Sequence, residues 1–393
     1  MNFNFDTVVD RSGMGNMKEL VTDERLTQQN LTAFNAAEMD FMTAPSVIQS
    51  VQSAAGRGIF GFTVADESYR DAVRWWLKEV RNWEIEPEQI VPTLGTIYAV
   101  ATAIRLATKE GEGVIVQPPV YYRYEQAAHR LKRKIVYNRL KIENGQYQMD
   151  FDDLEQKMAQ PENKLMILCN PQNPIGRVWR VEDLKKIATL SETYGVLVLS
   201  DEIFGEMTFD GACTIPYASV AKRNAITVIS LGKAFNFTGV NHANAIIPDP
   251  QLREAYTEQR NADHYGSVGP LEYAAVKGAY CPEGKAWFMA MRTYLEGTVH
   301  WVKTFFQEQI PQAKVFPIEG TSVCWIDWSF LGMAGKELEE FFIREALFQA
   351  ECGEVYGEGC EAMMRVNLTA PRQLIMDAML RIKAALHRLY NQN

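Results

Sequence analysis

The sequence predicts an α/β fold: a large domain with a mostly parallel sheet between helices, followed by a smaller α+β C-terminal domain. Two observations predict it. From about residue 43 to residue 282, short apolar runs alternate with longer amphipathic stretches, as in crossover units that join parallel strands. From about residue 283, long amphipathic helices flank short strands instead. We therefore expect an N-terminal arm over residues 1–42, a large domain over 43–282 and a small domain over 283–393.

The elements of the large domain follow from its apolar patterns. Short apolar runs predict strands at residues 113–117, 164–169, 196–200, 225–230 and 243–247. Helices are predicted over 69–80, 98–108 and 181–194, where in the last of these Leu184, Ile187 and Leu190 recur at helical spacing. In the small domain we expect helices over 287–309, 335–349 and 372–390, and strands over 314–317, 323–328 and 363–368.

Composition and charge narrow the function. The formal net charge is -9, so the chain lacks the basic surface that nucleic acids or anionic membranes require. The six cysteines form no C-x-x-C pair or metal-ligand spacing, and we interpret them as reduced thiols, with Cys169 and Cys324 buried in apolar runs. No secretory signal pattern or apolar run of about 20 residues is present. The expectation is a cytoplasmic protein without metal.

Two polar groups stand at the ends of predicted strands. Asp201 follows the run at 196–199, and Lys233 follows the run at 225–229. Open α/β sheets place their sites at the carboxyl ends of such strands. A lysine amine with a carboxylate for a ring nitrogen is the pair that pyridoxal phosphate needs. The local alternatives are a solvated surface lysine and a helix N-cap at Asp201.

Two further side chains could face the ring of such a cofactor. Asn173 lies in an Asn-Pro turn after a predicted strand and could contact a ring hydroxyl. Tyr121, in a proline-rich turn after the strand at 113–117, could stack on the ring. Either residue could instead have only a structural role in the turn that contains it.

A phosphate group would need donors at the same edge. Gly95, Thr96 and Ile97 begin a predicted helix, whose free amides can bind phosphate, and the glycine permits close approach. Ser230 could donate a further hydrogen bond from its hydroxyl. A glycine before a helix is common, so an ordinary helix start is the alternative.

Arg365 lies in the middle of an apolar strand of the small domain. Arginine is rarely buried without an anionic partner that its guanidinium can contact through two hydrogen bonds. The carboxylate of an amino-acid substrate is one candidate, and an internal salt bridge is the other.

Taken in order, these motifs resemble the fold-type-I pyridoxal-phosphate enzymes of the class I/II aminotransferase superfamily. Within it the chain is most similar to the MalY/PatB-type cystathionine β-lyase, or C–S lyase, branch. The motifs that carry the resemblance are Gly95-Thr96, Tyr121, Asn173-Pro174-x-Gly176, Asp201-Glu202, Ser230-x-x-Lys233 and Arg365-x-Asn367.

The resemblance implies a role for each residue, a small amino-acid substrate and a homodimer with active sites at the subunit interface. Lys233 would bond the cofactor and carry a proton, and Arg365 would hold the substrate carboxylate. The implied cofactor contacts are Asp201 on the ring nitrogen, Asn173 on the ring hydroxyl, Tyr121 on the ring face, and Gly95, Thr96 and Ser230 on the phosphate.

The chain departs from the family pattern at several pocket positions. Phe62 and Ser322 each stand where a tyrosine is usual, Phe204 replaces a histidine and Gly232 replaces a serine. Asn241 and the following histidine occupy the place of a phosphate-binding arginine in many aminotransferases. These departures leave the substrate open.

The predicted reaction is β-elimination on a sulfur-containing amino acid such as L-cystathionine, which gives a thiol, pyruvate and ammonia. The alternative is a class I/II aminotransferase, because both reactions begin with removal of the α-proton. A third reading is a regulatory protein that keeps the cofactor but acts by binding.

Overall fold

A mixed seven-stranded sheet forms the centre of the protein in the computed structural model, which describes residues 3–263 and 268–391. Its spatial order is β1-β9-β8-β7-β6-β2-β3, in the numbering that follows. The strands are β1 (Ile90–Thr93), β2 (Gly113–Val116), β3 (Lys134–Tyr137), β4 (Lys141–Glu143), β5 (Gln146–Gln148), β6 (Asn163–Cys169), β7 (Leu197–Asp201), β8 (Ala225–Ile229), β9 (Ala243–Ile246), β10 (Lys314–Val315), β11 (Val323–Asp327), β12 (Glu351–Cys352) and β13 (Met363–Asn367). Within the spatial order β8-β7-β6-β2-β3, every pair of neighbouring strands is parallel, as the sequence predicts.

One strand of the sheet departs from the expected parallel arrangement. β9 runs antiparallel to both β8 and β1, so the expectation of a parallel crossover at 243–247 is wrong. The connection from β8 to β9 contains a helix of only 4 residues, which is too short to return the chain along the sheet. β1, which the apolar pattern did not predict, is short and carries Pro92 at the edge of the sheet, where proline is tolerated.

Helices cover both faces of this sheet. They are α1 (Met17–Val21), α2 (Glu24–Thr27), α3 (Pro45–Gly56), α4 (Glu67–Arg81), α5 (Thr96–Ala107), α6 (Arg123–Arg130), α7 (Phe151–Met158), α8 (Val181–Tyr194), α9 (Tyr217–Val220), α10 (Leu231–Ala234), α11 (Pro250–Asn261), α12 (Pro270–Ala279), α13 (Pro282–Gln309), α14 (Gly335–Ala346) and α15 (Arg372–Asn391). The predicted helices over 69–80, 98–108 and 181–194 correspond to α4, α5 and α8. Asp66 caps α4 through Tyr69 N at 2.9 Å, and left-handed Gly195 ends α8.

The C-terminal part forms a second sheet with the order β10-β11-β13-β12, and all its neighbouring strands are antiparallel. The 28-residue helix α13 connects it to the first sheet. Trp287, near the start of α13, stacks on Phe235 with ring centroids 5.7 Å apart, so one apolar core continues between the two parts. The division at residues 42 and 282 stays a prediction.

The N-terminal arm is tied to this core. Phe5 packs against Phe41, Trp287 and Tyr294, and Asp23 N donates to Gln349 Oε1 at 2.8 Å. The arm also contains the short helices α1 and α2, which the polar, irregular sequence did not predict.

Two simpler expectations concern single side chains and membrane spans. The six cysteines form no disulfide, and Cys169 and Cys324 are buried as predicted. Over residues 3–263 and 268–391, no helix has the length and apolar content needed to cross a membrane.

Candidate active site

A cavity of about 900 Å³ opens at the carboxyl ends of the parallel strands, between the two sheets. Since the ends of neighbouring parallel strands meet at one edge, residues far apart in sequence line it together. All of the predicted site residues do so: Gly95, Thr96, Ile97, Tyr121, Asn173, Asp201, Ser230, Lys233 and Arg365.

Asp201 is the last residue of β7, and its carboxylate is buried. Tyr124 donates its hydroxyl to Oδ2 at 2.5 Å, and Ile203 N donates to Oδ1 at 3.2 Å. Burial raises the pKa of Asp201 to about 6, although the hydrogen bond from Tyr124 acts in the opposite direction. The site therefore holds a buried carboxylate that a cationic ring nitrogen would stabilise.

Lys233 lies in the short helix α10, and its amine faces the cavity. Nζ donates to the carbonyl of Ala37 and lies 5.6 Å from the ring centroid of Phe204. Burial and then the charge of Arg365 lower the pKa of Lys233 to about 8. A substantial fraction of this amine is therefore neutral near pH 8, as a nucleophile or base requires.

Arg365 reaches the cavity from β13 with its side chain only 3% exposed. It forms an ion pair with Glu351 on the neighbouring strand β12, and it also donates to the carbonyl of Asn35. Its Nη1 donates to Asn173 Oδ1 at 3.3 Å. The salt-bridge alternative is thus present in the structure, at a position where a substrate carboxylate could also reach the guanidinium.

The ring-facing candidates are fixed by their own turns. Tyr121 lies edge-on to Tyr124, with ring centroids 5.7 Å apart, and burial raises the pKa of Tyr121 to about 12. Its hydroxyl is therefore protonated at neutral pH, and its ring is available as an apolar surface of the cavity. Asn173 is buried in the loop that follows β6 and also lines the cavity.

The phosphate candidates lie at two helix starts that line the cavity. Gly95 adopts a φ of 77° as the N-cap of α5, so Thr96 and Ile97 supply backbone amides of the first turn, which have no acceptor within the helix. Ser230 Oγ caps α10 by accepting from Gly232 N at 3.0 Å and donates to the carbonyl of His242 at 2.7 Å. Its hydroxyl proton would have to turn away from that carbonyl to reach a phosphate.

The positions where the chain departs from the family pattern fall into two groups. Phe204, Gly232 and Asn241 line the cavity. Phe62 and Ser322 do not line it: Phe62 is fully exposed on the loop between α3 and α4, and Ser322 is buried next to β11. Within one chain, Phe62 and Ser322 therefore do not contact the contents of the cavity, and their effect on specificity stays a prediction.

Tyr124 and Glu351 line the cavity but were not predicted. Tyr124 binds Asp201, and its position three residues after Tyr121, at the start of a helix, could have indicated that both face one side. Glu351 pairs with Arg365 because the two face each other across β12 and β13. A two-residue strand gives no sequence pattern, so that contact was not predictable.

A buried ion pair supports the strand end that carries Asp201. Glu202 pairs with Arg81 of α4, and both side chains are almost fully buried. Its other oxygen accepts from Ser200 Oγ at 2.8 Å and from Tyr217 N at 2.7 Å. Glu202 therefore fixes the backbone next to Asp201 rather than the contents of the cavity.

Comparison with known proteins extends over nearly the whole chain. The family described as Aminotransferase class I and II matches residues 29–387. Cystathionine beta-lyase PatB of Bacillus subtilis is 32% identical over 386 residues, which cover 98% of this chain and 100% of PatB.

Solved structures give the same picture. Cystalysin from Treponema denticola, which contains a pyridoxal 5'-phosphate cofactor, superposes with a TM-score of 0.94 at 31% identity, over 99% of this chain and 100% of cystalysin. The PLP-bound C-S lyase from Staphylococcus hominis has a TM-score of 0.90 at 28% identity, over 98% of both chains. The similarity thus spans both sheets and the cavity between them.

Proposed function

The chain belongs to the class I and II aminotransferase family, as its motifs predicted, and from that premise we propose that it is a pyridoxal-phosphate-dependent carbon–sulfur lyase. It cleaves the bond between the β-carbon and the sulfur of a cysteine conjugate such as L-cystathionine, and releases a thiol, pyruvate and ammonia. One observation carries the proposal: the partly buried Lys233, with its amine, and the buried carboxylate of Asp201 face the same cavity. The similarity to PatB and to the C-S lyase favours elimination over transamination.

The donors of the cavity fit pyridoxal phosphate. The buried Asp201 carboxylate suits a protonated ring nitrogen, and the first turn of α5 with Ser230 suits a phosphate. Asn173 would face the ring hydroxyl and Tyr121 the ring plane. When bound, the cofactor supplies an electron sink for the charge that develops on the α-carbon of the substrate.

Two side chains of this protein would then act directly on the substrate. Arg365 holds the substrate carboxylate, and Lys233 Nζ removes the α-proton. The electron pair of the Cα–H bond forms a Cα=Cβ bond as the Cβ–S bond breaks, and the thiolate leaves with the electron pair of the Cβ–S bond. Water then hydrolyses the released 2-aminoacrylate to pyruvate and ammonia. The buried ring of Phe204, whose centroid lies 5.6 Å from Lys233 Nζ, covers the amine with apolar surface.

The test is turnover of L-cystathionine by the purified protein with pyridoxal phosphate and no keto-acid acceptor. We expect pyruvate, measured with lactate dehydrogenase, and thiol, measured with a disulfide reagent, in equal amounts. The Lys233→Ala protein should form neither product. Turnover that requires 2-oxoglutarate would identify an aminotransferase instead, and cofactor binding without either reaction would favour the regulatory alternative.

We propose that the protein acts as a homodimer. The loop between α3 and α4 exposes four apolar side chains, Ile59, Phe60, Phe62 and Val64. A group of exposed apolar side chains marks a surface that another molecule covers. The simplest partner that would cover this loop is a second copy of the chain in a symmetric dimer. Sedimentation analysis should give twice the chain mass, and a Phe60→Glu/Phe62→Glu protein should shift to the monomer; an unchanged distribution would refute this interface.

The cysteines bear on the compartment. All six are unpaired, which favours a reducing environment, and we propose the cytoplasm.

A further inference from the structure

We infer that the sulfur substituent of the substrate carries a positively charged nitrogen, and that Glu351 binds it with the help of Glu339 and Glu354. The inference rests on the proposed lyase function, since it assigns the outer part of the same cavity. It names a substrate class, cysteine conjugates whose leaving thiol bears an ammonium or similar cation. It also makes Glu351 the residue that determines specificity.

The first observation is the ion pair inside the cavity. Glu351 Oε2 accepts from Arg365 Nη2 and also from the hydroxyl of Tyr356 at 3.0 Å. Arg365 is the buried cation that would receive the substrate carboxylate. A substrate that binds there places a second carboxylate beside Glu351, and two carboxylates then share one guanidinium.

The second observation is the charge around Glu351. Glu339 on α14 and Glu354 after β12 also line the cavity. Burial, and then the charges of the Glu339, Glu354 and Glu351 carboxylates, raise the pKa of the Cys352 thiol to about 12, and Cys352 lines the same cavity. Burial raises the pKa of Glu339, and the nearby Glu354 raises it further.

The lysine and arginine side chains of the cavity do not neutralise the negative charges of Glu339, Glu351 and Glu354. Lys18 is held by Asp40 at 2.7 Å, Lys233 is assigned to the cofactor and Arg365 to the substrate carboxylate. Among the lining residues that the structure describes, Arg123 is the remaining lysine or arginine, and it is exposed. Once a substrate carboxylate takes Arg365 from Glu351, three carboxylates are left with one exposed cation, and a cation on the substrate would complete the balance.

The ion pair between Glu351 and Arg365 explains how the cavity would distinguish one sulfur substituent from another. When the α-carboxylate takes Arg365, Glu351 keeps the hydroxyl of Tyr356 and turns to the ammonium of the sulfur substituent. A neutral or acidic substituent leaves Glu351 without that partner. A substituent with both charges, as in cystathionine, can direct its distal carboxylate to Arg123.

The experiment compares two substrates of equal size. S-(2-aminoethyl)-L-cysteine ends in an ammonium where S-propyl-L-cysteine ends in a methyl group. We measure kcat/KM for each with the wild-type holoenzyme and with Glu351→Gln, and express preference as the ratio of aminoethyl to propyl. The change of this ratio on mutation cancels the different intrinsic leaving abilities of the two thiols.

Glu351→Gln should lower the ratio about tenfold or more, because it removes a charge-assisted hydrogen bond that only the aminoethyl substrate can form. Glu354→Gln should lower it less. The control Glu358→Gln removes an exposed carboxylate that pairs with Arg139 and does not line the cavity, so the ratio should not change. A fall of less than threefold in Glu351→Gln, or an equal loss for both substrates, overturns the inference.

A binding measurement separates this inference from the lyase proposal. The dissociation constants of the two compounds are measured calorimetrically with the Lys233→Ala protein in buffer that contains pyridoxal phosphate, with and without Glu351→Gln. The inference is supported if Lys233→Ala binds the aminoethyl compound more tightly than the propyl compound and Lys233→Ala/Glu351→Gln binds both equally. This result supports the inference even if no pyruvate forms with the wild-type protein. Equal binding of the two compounds overturns it even if both are cleaved.

Discussion

Replacing Tyr124 with phenylalanine removes the hydroxyl that donates to Asp201 Oδ2 at 2.5 Å and leaves Ile203 N as the other donor found to this carboxylate among the described residues. The ring itself is fully buried, and phenylalanine fills the same space. The substitution therefore tests one hydrogen bond in the proposed cofactor site.

The expected effect is on the pKa of Asp201, which burial has already raised to about 6. A hydrogen bond to a charged group contributes about 1.5–3 kcal/mol, and one pKa unit corresponds to about 1.4 kcal/mol. Loss of the bond should thus raise this pKa by about one to two units. Since the carboxylate is the form that pairs with a protonated ring nitrogen, cofactor affinity falls as pH falls through this pKa.

The assay is the dissociation constant of pyridoxal phosphate for the apoprotein between pH 5.5 and pH 9. The ratio of variant to wild type should be close to one at pH 9 and about five- to fiftyfold at pH 6, from the shift of about one to two units. Titrations of the cofactor itself and of Lys233 affect both proteins and cancel in the ratio.

Tyr194→Phe is the matched control, because it removes a hydroxyl that donates to the exposed Glu155 at 3.0 Å, away from the cavity. It should leave the ratio at one throughout. A Tyr124→Phe ratio that does not change with pH would refute the assignment of Asp201 as the titrating partner of the cofactor.

Two further predictions concern stability. Arg81→Met leaves the buried carboxylate of Glu202 without its ion-pair partner and should lower the free energy of unfolding by about 3–5 kcal/mol in urea titrations; a loss below about 1 kcal/mol would contradict it. Gly176→Ala should lower the melting temperature more than Gly195→Ala does. Both glycines have positive φ, but a Cβ at Gly176 would lie 3.3 Å from the carbonyl oxygen of Gly320, whereas nothing lies within 4 Å at Gly195. Equal losses would show that backbone conformation alone matters.

Much of the large sheet was predictable because buried parallel strands give continuous apolar runs. The strands β6, β7 and β8 follow that rule, and so the positions of Asp201 and Lys233 at their ends could be inferred. The direction of β9 could not, because a short strand of 4 residues gives the same sequence pattern in either direction. Its orientation depends on the length of the connection before it.

The sequence by itself determined which chemical groups are available and in what order they follow the strands. It predicted the amine, the carboxylate, the phosphate-binding turn and the arginine, because each depends on a local pattern. Only the tertiary structure decided the partners of these groups: Tyr124 at Asp201, Phe204 at Lys233 and Glu351 at Arg365. Burial and the charges of residues distant in sequence set the pKa values and the charge balance of a cavity, and these arise only when the strands and helices pack together.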